Sequence, residues 1–596
     1  METLMNFFSI VSDKVGSLFQ TISDFISADY ALNLMYTAAA RWVFIFLGLF
    51  IVIKSIISLL RSKNPSEVWA YLHLGTGENI PVTHWENVIG RASNCDICID
   101  DPRVSRNHGT LVRDEEGTWT YHDLGSKNGA HFNEKKLEPG SKVVIKPGDN
   151  LDIGTTRCTL FPVSLEERRN NVQMRKMDTV LLSPWLSLLA LTVFQIMTVM
   201  QLKCALLDEF SPSVTMSFLG LTIVMWAYVL VFRSMKRKGF EMEIIAFFLS
   251  TLSLAVTASK FPEGVFKQFI AIVIGMALFI GMCIYLRNLS RAQAVQKIMY
   301  IGAALLLIFN LIFATSKFGA NNWVEIGGLS FQPSELVKLA FIWVGAASLD
   351  RLFDKKDSLK FMLFSGFCFC CLAFMGDFGT ALIFFVTFLV ISFLRSGDFT
   401  KLTLITGVAF VGGLMVLKFK SYVAARFESW GHAWEFADST GYQQTRTMSA
   451  AASGGLVGVG AGNGLLKDIA ASETDLVFGF LIEEWGLIIA ILAILSIITL
   501  SIFAVRSIWA GRSTFYTIAA CSAMSMFLFQ TILNVFGAVD LFPLTGVTFP
   551  FVSSGGTSMI SSWGMLAFLK AADTRQNASI AISTSNRGFR KKGDRS

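Results

Sequence analysis

Charged residues are scarce in this chain. Only 16% of the 596 residues are Asp, Glu, Lys or Arg, whereas 53% are hydrophobic and the mean hydropathy is +0.53. Because soluble domains carry about a quarter charged residues, this composition excludes an ordinary soluble enzyme and indicates a polytopic membrane protein. Proline and tyrosine are also few, at 12 and 10 residues, which argues against a β-barrel with aromatic girdles. We therefore expect helices to cross the bilayer.

Cysteine and basic residues also lack the patterns seen in several other protein classes. The nine Cys form no even set in loops, and several lie inside apolar runs, so no disulfide framework is expected. Cys95-x-x-Cys98 has no second pair, which argues against a zinc or redox site. The net charge of +7 comes from short basic runs between apolar segments, a pattern typical of topology control. No nucleic-acid partner is expected.

The first part of the chain predicts one membrane helix and one soluble domain. Residues 1–37 have the approximate periodicity of an amphipathic segment, and residues 38–60 form an apolar run long enough to cross a bilayer. Over residues 68–162 the apolar runs shorten and turn dipeptides recur, which predicts an inserted all-β sandwich. Basic residues directly after the first span place this sandwich in the cytoplasm by the positive-inside rule.

The remainder predicts a charged linker at residues 163–178, a multi-helix membrane domain at 179–572 and a basic cytoplasmic tail at 573–596. Basic residues occupy every second connection, so the longest alternate loop, residues 419–475, is expected on the outer face. The twelve apolar segments lie at about 180–203, 213–232, 241–259, 265–286, 298–315, 334–350, 361–376, 380–394, 402–418, 478–504, 514–536 and 552–570.

Three motifs in the predicted sandwich have the order and spacing of a forkhead-associated (FHA) domain: Gly90-Arg91, Ser105-Arg106-Asn107-His108 and Ser126-Lys127-Asn128-Gly129. The resemblance implies a phosphothreonine protein from a Ser/Thr kinase pathway as partner. A phosphothreonine carries nearly two negative charges and three acceptor oxygens, so its site needs cationic, hydroxyl and amide donors. The residues predicted to supply them are Arg91, Ser105, Arg106, Lys127 and Asn128.

Four further motifs follow one another in the membrane domain: Gln332-Pro333-Ser334-Glu335, Gly376-Asp377-Phe378-Gly379, Glu473-Thr474-Asp475-Leu476 and Ser553-Ser554-Gly555-Gly556. With their surroundings, at residues 320–572, they closely resemble the SEDS family (shape, elongation, division, sporulation; the RodA/FtsW type). The resemblance implies a SEDS-type bundle and a peptidoglycan glycosyltransferase that polymerises undecaprenyl-linked lipid II outside the cytoplasmic membrane. It also implies a class B penicillin-binding protein as partner and Mg²⁺ or Mn²⁺ as helper.

The same resemblance assigns the family's essential aspartate to Asp475. Joining a sugar hydroxyl to an anomeric carbon while a lipid pyrophosphate leaves needs a base, or a carboxylate that positions a metal. Glu473 stands where the family has His, and this second carboxylate could raise metal affinity or perturb the pKa of Asp475. Asn322 stands where the family has Arg. Both departures put the activity in question.

The other candidate substrate ligands have structural alternatives. Lys338 could face the pyrophosphate, but Glu335 lies one helical turn before it, and the two could simply pair. Arg446 could bind a phosphate or a peptide carboxylate, or remain a solvated charge. Asp377 could act in catalysis or cap a helix. The glycine run at residues 454–463 is not followed by Gly-Lys-Ser/Thr, so no nucleotide site is expected there.

Two other functions remain open on the sequence alone. A lipid-precursor flippase would also place polar groups between helices and carry an outer loop, but it would move lipid without making polymer. A non-catalytic scaffold for cell division or cell shape would use the FHA unit to recruit phosphorylated proteins. The departures at Glu473 and Asn322 keep the scaffold open.

Overall fold

The computed structural model describes residues 21, 29–61, 68–93, 95–114, 117–164, 166–167, 170, 182–317, 320–326, 329–349, 355–396, 399–510 and 513–575. Most of the predicted amphipathic segment, charged linker and basic tail lies outside these residues. Nine helices in the described part of the chain are long and apolar enough to cross a membrane. The protein is therefore a multi-pass membrane protein.

The first helix is longer than the sequence predicts. Helix α1 spans Tyr30–Arg61 and so begins eight residues before the expected start at residue 38. Asp29 explains the early start, because its carboxylate Oδ1 accepts the backbone N–H of Ala31 at 2.9 Å. A side-chain acceptor in front of the first turn satisfies N–H groups that have no partner within the helix. The apolar run marked the membrane-crossing part of the helix but not its cap.

The inserted domain is an all-β sandwich, as predicted, and its strand pairs are antiparallel except for β3 with β4. One sheet has the strand order β2-β1-β11-β10-β7-β8 and the other β4-β3-β5-β6-β9. Strands β1 and β6 alternate strictly between buried and half-buried residues, so one face of each sheet supplies the core. The strands are β1 Ala70–Leu74, β2 Asn79–Val82, β3 Glu86–Gly90, β4 Ile97–Cys98, β5 Gly109–Arg113, β6 Trp119–Asp123, β7 Ala130–Phe132, β8 Lys135–Lys136, β9 Lys142–Ile145, β10 Asn150–Ile153 and β11 Thr156–Pro162.

All twelve apolar segments predicted after the sandwich are helices. They are α2 Trp185–Leu206, α3 Pro212–Ser234, α4 Glu241–Lys260, α5 Val265–Tyr285, α7 Gln296–Phe313, α8 Pro333–Leu349, α9 Lys355–Met375, α10 Phe378–Ser396, α11 Phe399–Phe419, α14 Val477–Ala510, α15 Thr514–Ala538 and α16 Gly556–Ala572. The sequence did not predict the short helices and the small sheet between them. These are α6 Leu289–Ala294, α12 Ser421–Glu428, α13 Tyr442–Gly454, β12 Thr315–Lys317, β13 Ala320–Ile326 and β14 Leu329–Phe331.

Helix α4 lies at the centre of the N-terminal half of the bundle. All of its residues except the last, Lys260, are buried. Helices α1, α2, α3, α5, α14 and α16 pack around it. Its polar side chains are bonded to these neighbours; for example, Gln195 of α2 donates to Thr251 Oγ1 at 3.0 Å. A hydrogen bond between buried groups offsets the free energy of removing both from water, so the packing fixes how these helices face one another.

The sandwich contacts the membrane domain through the first residue of β3. Glu86 is buried, and its carboxylate accepts Ser513 Oγ at 3.0 Å and the backbone N–H of Thr514 at 3.1 Å. Thr514 is the first residue of α15, so a carboxylate of the sandwich caps a membrane helix. Trp85 packs beside it against the core of the bundle. The two domains are therefore joined by a polar and an apolar contact.

Replacing Glu86 tests this contact. We expect Glu86→Ala to leave the Thr514 N–H and the Ser513 hydroxyl without their acceptor and to lower the free energy of unfolding by on the order of 0.5–2 kcal/mol. Thermal unfolding in detergent should give a lower Tm, and hydrogen exchange of the amides at residues 513–517 should be faster. The matched control is Glu78→Ala, which removes an exposed carboxylate from the same domain. Unchanged exchange at residues 513–517 would show that the cap does not hold in solution.

Candidate functional site

A cavity of about 1260 Å³ lies among the small sheet, helices α9 to α12 and the loops before α14 and α16. Its polar side includes Asn322, Gln332, Asp377, Arg426, Glu473, Thr474, Asp475 and Thr545. Its apolar side includes Phe369, Leu382, Phe385, Phe388, Val408, Leu414 and Leu417. A cavity with one polar and one apolar side fits an amphiphilic molecule.

Asp475 belongs to a tight turn immediately before α14. The turn starts at Ala471, whose φ of +58° lies in the left-handed region. The Ala471 carbonyl accepts the backbone N–H of Asp475 at 3.0 Å and that of Leu476 at 3.3 Å. A non-glycine residue in this conformation costs on the order of 1–3 kcal/mol and persists only where its surroundings enforce it. The orientation of Asp475 therefore depends on contacts around the turn.

Those contacts come from α15 and from the loop before α16. The carbonyls of residues 473, 474 and 475 accept, in that order, the Ser554 N–H at 2.8 Å, the Ser553 hydroxyl at 2.6 Å and Asn534 Nδ2 at 3.0 Å. Asn534 also donates to the Val547 carbonyl at 2.8 Å and so ties the two loops together. The motif Ser553-Ser554 thus holds the turn through hydrogen bonds to its backbone carbonyls.

The environment of Asp475 raises its pKa to about 6. Burial is the main cause, and the nearby charges of Glu473 and Asp377 act in the same direction, while a hydrogen bond from Thr474 and the Arg426 guanidinium oppose it. A carboxylate that titrates this close to neutrality can take up a proton and release it again. Gly546 leaves room for it, since a Cβ there would lie 3.3 Å from Asp475 Oδ2.

Glu473 also lines the cavity, but it has a cationic partner. Its Oε2 forms an ion pair with Lys260 Nζ at 2.7 Å. The carboxylate that replaces the family's His is therefore neutralised by the last residue of α4.

The predicted substrate ligands Lys338 and Glu335 lie in the helix packing and not at the cavity. Lys338 Nζ donates to Glu335 Oε1 at 2.7 Å, and both side chains are at most 5% exposed. Neither residue belongs to the cavity lining. The two residues are one helical turn apart and pair with each other, which is the structural alternative to substrate binding.

Arg446 is likewise separate from the cavity. It is exposed on α13, and its guanidinium lies 5.3 Å from the ring centroid of Tyr442. Arg426 of α12 lines the cavity instead, and its Nη1 donates to the Leu544 carbonyl at 3.0 Å. No local pattern in the sequence distinguishes Arg426 from Arg446, because both lie in the same loop, residues 419–475.

Asp377 caps α10, which is one of its two predicted roles. Its Oδ1 accepts the backbone N–H of Thr380 at 3.1 Å. Its Oδ2 accepts Nδ2 of Asn322 at 3.0 Å and Nε2 of Gln332 at 3.1 Å. Asn322, which replaces the family's Arg, therefore has a defined partner at the cavity.

The glycine run at residues 454–463 packs against α14. Val459 N–H donates to the Glu483 carbonyl at 2.8 Å, and Leu487 N–H donates to the Gly455 carbonyl at 2.9 Å. Helix α14 is broken at Gly486, whose φ is +86°, and this break exposes the carbonyls and N–H groups that the run binds. Added side chains would clash: a Cβ on Gly454 would lie 2.1 Å from the Ile482 carbonyl oxygen. The run is a packing element.

The five predicted phosphopeptide residues lie on neighbouring loops at one end of the sandwich. Arg91 N–H donates to the Ser105 carbonyl at 3.0 Å, and Lys127 N–H donates to Ser105 Oγ at 3.1 Å. Asn128 Nδ2 donates to the Arg103 carbonyl at 2.8 Å, which ties its loop to the loop of Ser105. The exposed members of the group are Arg91, Arg106, Lys127 and Asn128.

His108 holds these loops together from the core of the sandwich. It is fully buried; its Nδ1 accepts the Ser105 N–H at 3.1 Å, and its Nε2 lies 3.2 Å from the Gly129 carbonyl. Burial lowers the pKa of His108 below its usual value, so the ring stays neutral at physiological pH. The cationic groups at this end are therefore those of arginine and lysine.

Comparison with known proteins identifies both domains. Residues 240–578 match the family model described as cell cycle protein (FtsW, RodA and SpoVE), and residues 87–154 match the FHA domain model. The probable peptidoglycan glycosyltransferase FtsW of Bacillus subtilis (strain 168) is 30% identical over 368 residues, which cover 57% of this chain and 89% of that protein. The peptidoglycan glycosyltransferase RodA of Mycobacterium bovis is 28% identical over 268 residues, covering 42% of this chain and 57% of that protein.

Two solved structures resemble the membrane domain. A chain of a peptidoglycan synthase complex is 23% identical, with a TM-score of 0.46 and coverage of 55% of this chain and 96% of that chain. RodA of Thermus thermophilus is 21% identical, with a TM-score of 0.42 and coverage of 55% and 94%. The family model begins at residue 240, so α4 is the first family helix, and α1, α2 and α3 are additional. Because this model covers more than half of the chain, the protein belongs to the FtsW/RodA/SpoVE family, the SEDS family, and it carries an FHA domain between its first two membrane helices.

Proposed function

We propose that the protein is a peptidoglycan glycosyltransferase that polymerises lipid II, with Asp475 as the catalytic base. The observation that carries this proposal is the position of the Asp475 carboxylate at the polar side of an otherwise largely apolar cavity, where burial raises its pKa to about 6. The names of the similar proteins from Bacillus subtilis and Mycobacterium bovis support the same reaction.

The reaction needs one proton acceptor and one site for a leaving pyrophosphate. Asp475 takes the proton from the acceptor sugar hydroxyl as the hydroxyl oxygen bonds to the anomeric carbon of the donor. The bond between that carbon and the pyrophosphate oxygen breaks, and the lipid pyrophosphate leaves with the electron pair. Arg426, which lines the same cavity, is placed to neutralise the departing charge. Cleavage of the bond between the donor sugar and the pyrophosphate supplies the free energy, so no nucleotide is required.

The apolar side of the cavity suits the lipid part of the substrate. Leu382, Phe385 and Phe388 come from α10, and Val408 and Leu414 come from α11. An isoprenoid chain held there would keep the pyrophosphate beside Arg426 and the sugars near Asp475. Binding energy from the lipid would then position the reacting groups.

The charge pattern of the loops supports the sidedness that we propose. The sandwich contacts the N-terminal end of α15, and Asp475 lies near its C-terminal end. A cytoplasmic FHA domain, which the positive-inside rule favours, then puts the cavity at the outer face of the cytoplasmic membrane. There the enzyme would use lipid-linked sugars that have already been translocated.

A divalent cation, Mg²⁺ or Mn²⁺, is part of the proposal without an assigned ligand set. The described residues contain no group of three or more His, Cys, Asp or Glu side chains that could hold a metal. Magnesium commonly binds through one or two carboxylates together with phosphate oxygens of a substrate. The cation would therefore enter with the pyrophosphate and stabilise its charge.

The FHA domain gives the enzyme a second ligand. We propose that Arg91, Arg106 and their neighbours bind a phosphothreonine protein, and that this binding recruits or regulates the polymerase. A class B penicillin-binding protein is the proposed transpeptidase partner of the membrane domain. A peptidoglycan synthase complex is the assembly in which one of the similar solved chains occurs.

Replacing Asp475 tests the catalytic assignment. Asp475→Asn should reduce lipid II polymerisation by the purified protein by about 10²–10⁴-fold, the usual contribution of general acid–base catalysis. The control Asp468→Asn changes an exposed carboxylate in the same loop and should keep full activity. The measurement is the yield and length of glycan chains. Full polymerisation by Asp475→Asn would refute the assignment.

The same preparation separates the enzyme from its two rivals. A flippase would move fluorescent lipid II across vesicles, form no polymer, and keep moving lipid after Asp475→Asn. A scaffold would do neither and would still bind phosphopeptides. Polymer formation by the wild-type protein that depends on Asp475 is the outcome that only the enzyme predicts.

The pH dependence of the reaction gives the sign of the role of Asp475. A base must be ionised, and burial raises the pKa of this carboxyl to about 6, so activity should fall as the pH decreases through about 6. Glu473→Gln removes a charge that raises this pKa and frees a neighbouring cation, so it should move the acidic limb to lower pH. Rate profiles in saturating lipid II measure both. Activity lost above pH 6 instead would make Asp475 an acid.

Replacing Arg91 tests the phosphopeptide site. Hydrogen bonds to charged groups contribute about 1.5–3 kcal/mol, so Arg91→Ala should weaken binding of a phosphothreonine peptide by about 10–150-fold. Polymerisation without peptide should be unchanged. Lys146→Ala is the control, since this exposed lysine lies in the hairpin between β9 and β10, at the opposite end of the sandwich. Fluorescence anisotropy gives the Kd. Equal affinities for both variants would exclude this site.

A further inference from the structure

Lys260 is the only residue of α4 that is not buried, and it contacts the segment just before Asp475. Its ammonium donates to the Ile469 carbonyl at 2.6 Å and to Ser472 Oγ at 2.9 Å, and it pairs with Glu473 Oε2 at 2.7 Å. All three partners lie within five residues of one another. A single side chain from a different helix therefore holds the beginning of the catalytic turn.

The position of this contact complements the other contacts of the turn. Ser553, Ser554 and Asn534 bind the carbonyls of residues 473–475, whereas Lys260 binds residues 469, 472 and 473. Ala471, with its left-handed φ of +58°, lies between Ile469 and Ser472, so the partners of Lys260 flank it on both sides. A turn in a costly conformation needs partners on both sides, because either side alone would let it relax.

The ion pair between Lys260 and Glu473 is also largely shielded from water. The Lys260 and Glu473 side chains are only 10% and 16% exposed, so water screens neither charge well. Loss of one partner leaves the other charge in a poorly solvated place, which costs more than loss of both. Glu473 is two residues from Asp475, so an unpaired Glu473 would disturb the local backbone as it sought solvent.

We propose that Lys260 is a positioning residue of the polymerase: it fixes the turn at residues 469–475 so that the Asp475 carboxylate faces the cavity. The inference rests on the proposed function for its kinetic part but not for its structural part. Lys260 touches no residue of the reaction directly. Helix α4, the first family helix and the one that the additional helices enclose, thereby becomes part of the support of the site.

Kinetics test the proposal with Lys260→Met, which keeps the length of the side chain and removes its charge and donors. We expect kcat for lipid II polymerisation to fall by about 10–100-fold, since small misplacements of a catalytic group have this effect, while KM changes much less. Lys267→Met is the matched control, because this exposed lysine lies in the first turn of the next helix. A wild-type kcat in Lys260→Met would overturn the proposal.

A double variant shows whether Lys260 and Glu473 act as a pair. Glu473→Gln should reduce kcat less than Lys260→Met does, because Lys260 keeps its bonds to Ile469 and Ser472. The combined variant contains no unpaired charge, so its loss should be no greater than that of Lys260→Met alone. Losses that multiply would mean that the two residues act independently, against the proposal. The combined variant also remains informative if Lys260→Met does not fold.

Hydrogen exchange gives a readout that needs no activity. The amides of Asp475 and Leu476 are bonded to the Ala471 carbonyl and should exchange faster in Lys260→Met and in the combined variant than in the wild type. Exchange in α5 should not change. If the wild-type protein makes no polymer, the proposed function is wrong, and hydrogen exchange still tests whether Lys260 holds the turn. Unchanged exchange at residues 474–476 would overturn the proposal.

Discussion

The constraint on which the rest of the structure depends is the orientation of one half-buried carboxylate, that of Asp475. Asp475 must be surrounded by protein for its pKa to rise to about 6, yet its oxygens must still face a cavity. Without further contacts, the Asp475 carboxylate could rotate away from the cavity. The strained Ala471 turn, with hydrogen bonds from Asn534 on one side and Lys260 on the other, restricts it to one orientation. The site therefore depends on the backbone geometry of the turn as much as on the chemistry of the side chain.

The three helices that precede the family region change the surroundings of its first helix. Helix α4 is enclosed by α1, α2 and α3 as well as by family helices. Helix α1 also reaches the glycine run, since Arg41 Nη1 donates to the Gly458 carbonyl at 2.9 Å. That run in turn binds the break in α14, the helix that follows Asp475. The additional helices are therefore connected to the site on two sides, through α4 with Lys260 and through the run with α14.

Local pattern explains what could be predicted. Apolar runs located all twelve helices, because such runs depend on neighbouring residues in the chain. Ordered motifs singled out Asp475, which lines the cavity, and five residues that the structure brings together at one end of the sandwich. The pairing of Lys260 with Glu473 could not be predicted, since the residues are 213 positions apart (473 minus 260) and meet only in the folded bundle. That Arg426 lines the cavity and Arg446 does not could not be predicted for the same reason. Helix α1 started early because a single cap, Asp29, outweighed the end of the apolar run.

Helix α15 contacts the sandwich at one end and the turn that carries Asp475 near the other. Its first residue is capped by Glu86, and Asn534, about 30 Å further along at 1.5 Å per residue, holds the carbonyl of Asp475. Glu86 is also the first residue of β3, the strand that leads directly to Arg91. One strand and one helix thus connect the loop of Arg91 to the turn that carries Asp475. Thermodynamic linkage makes such a connection reciprocal. A phosphoprotein bound to the FHA domain that changes the affinity for the glycan substrate by some factor has its own affinity changed by the same factor when that substrate binds.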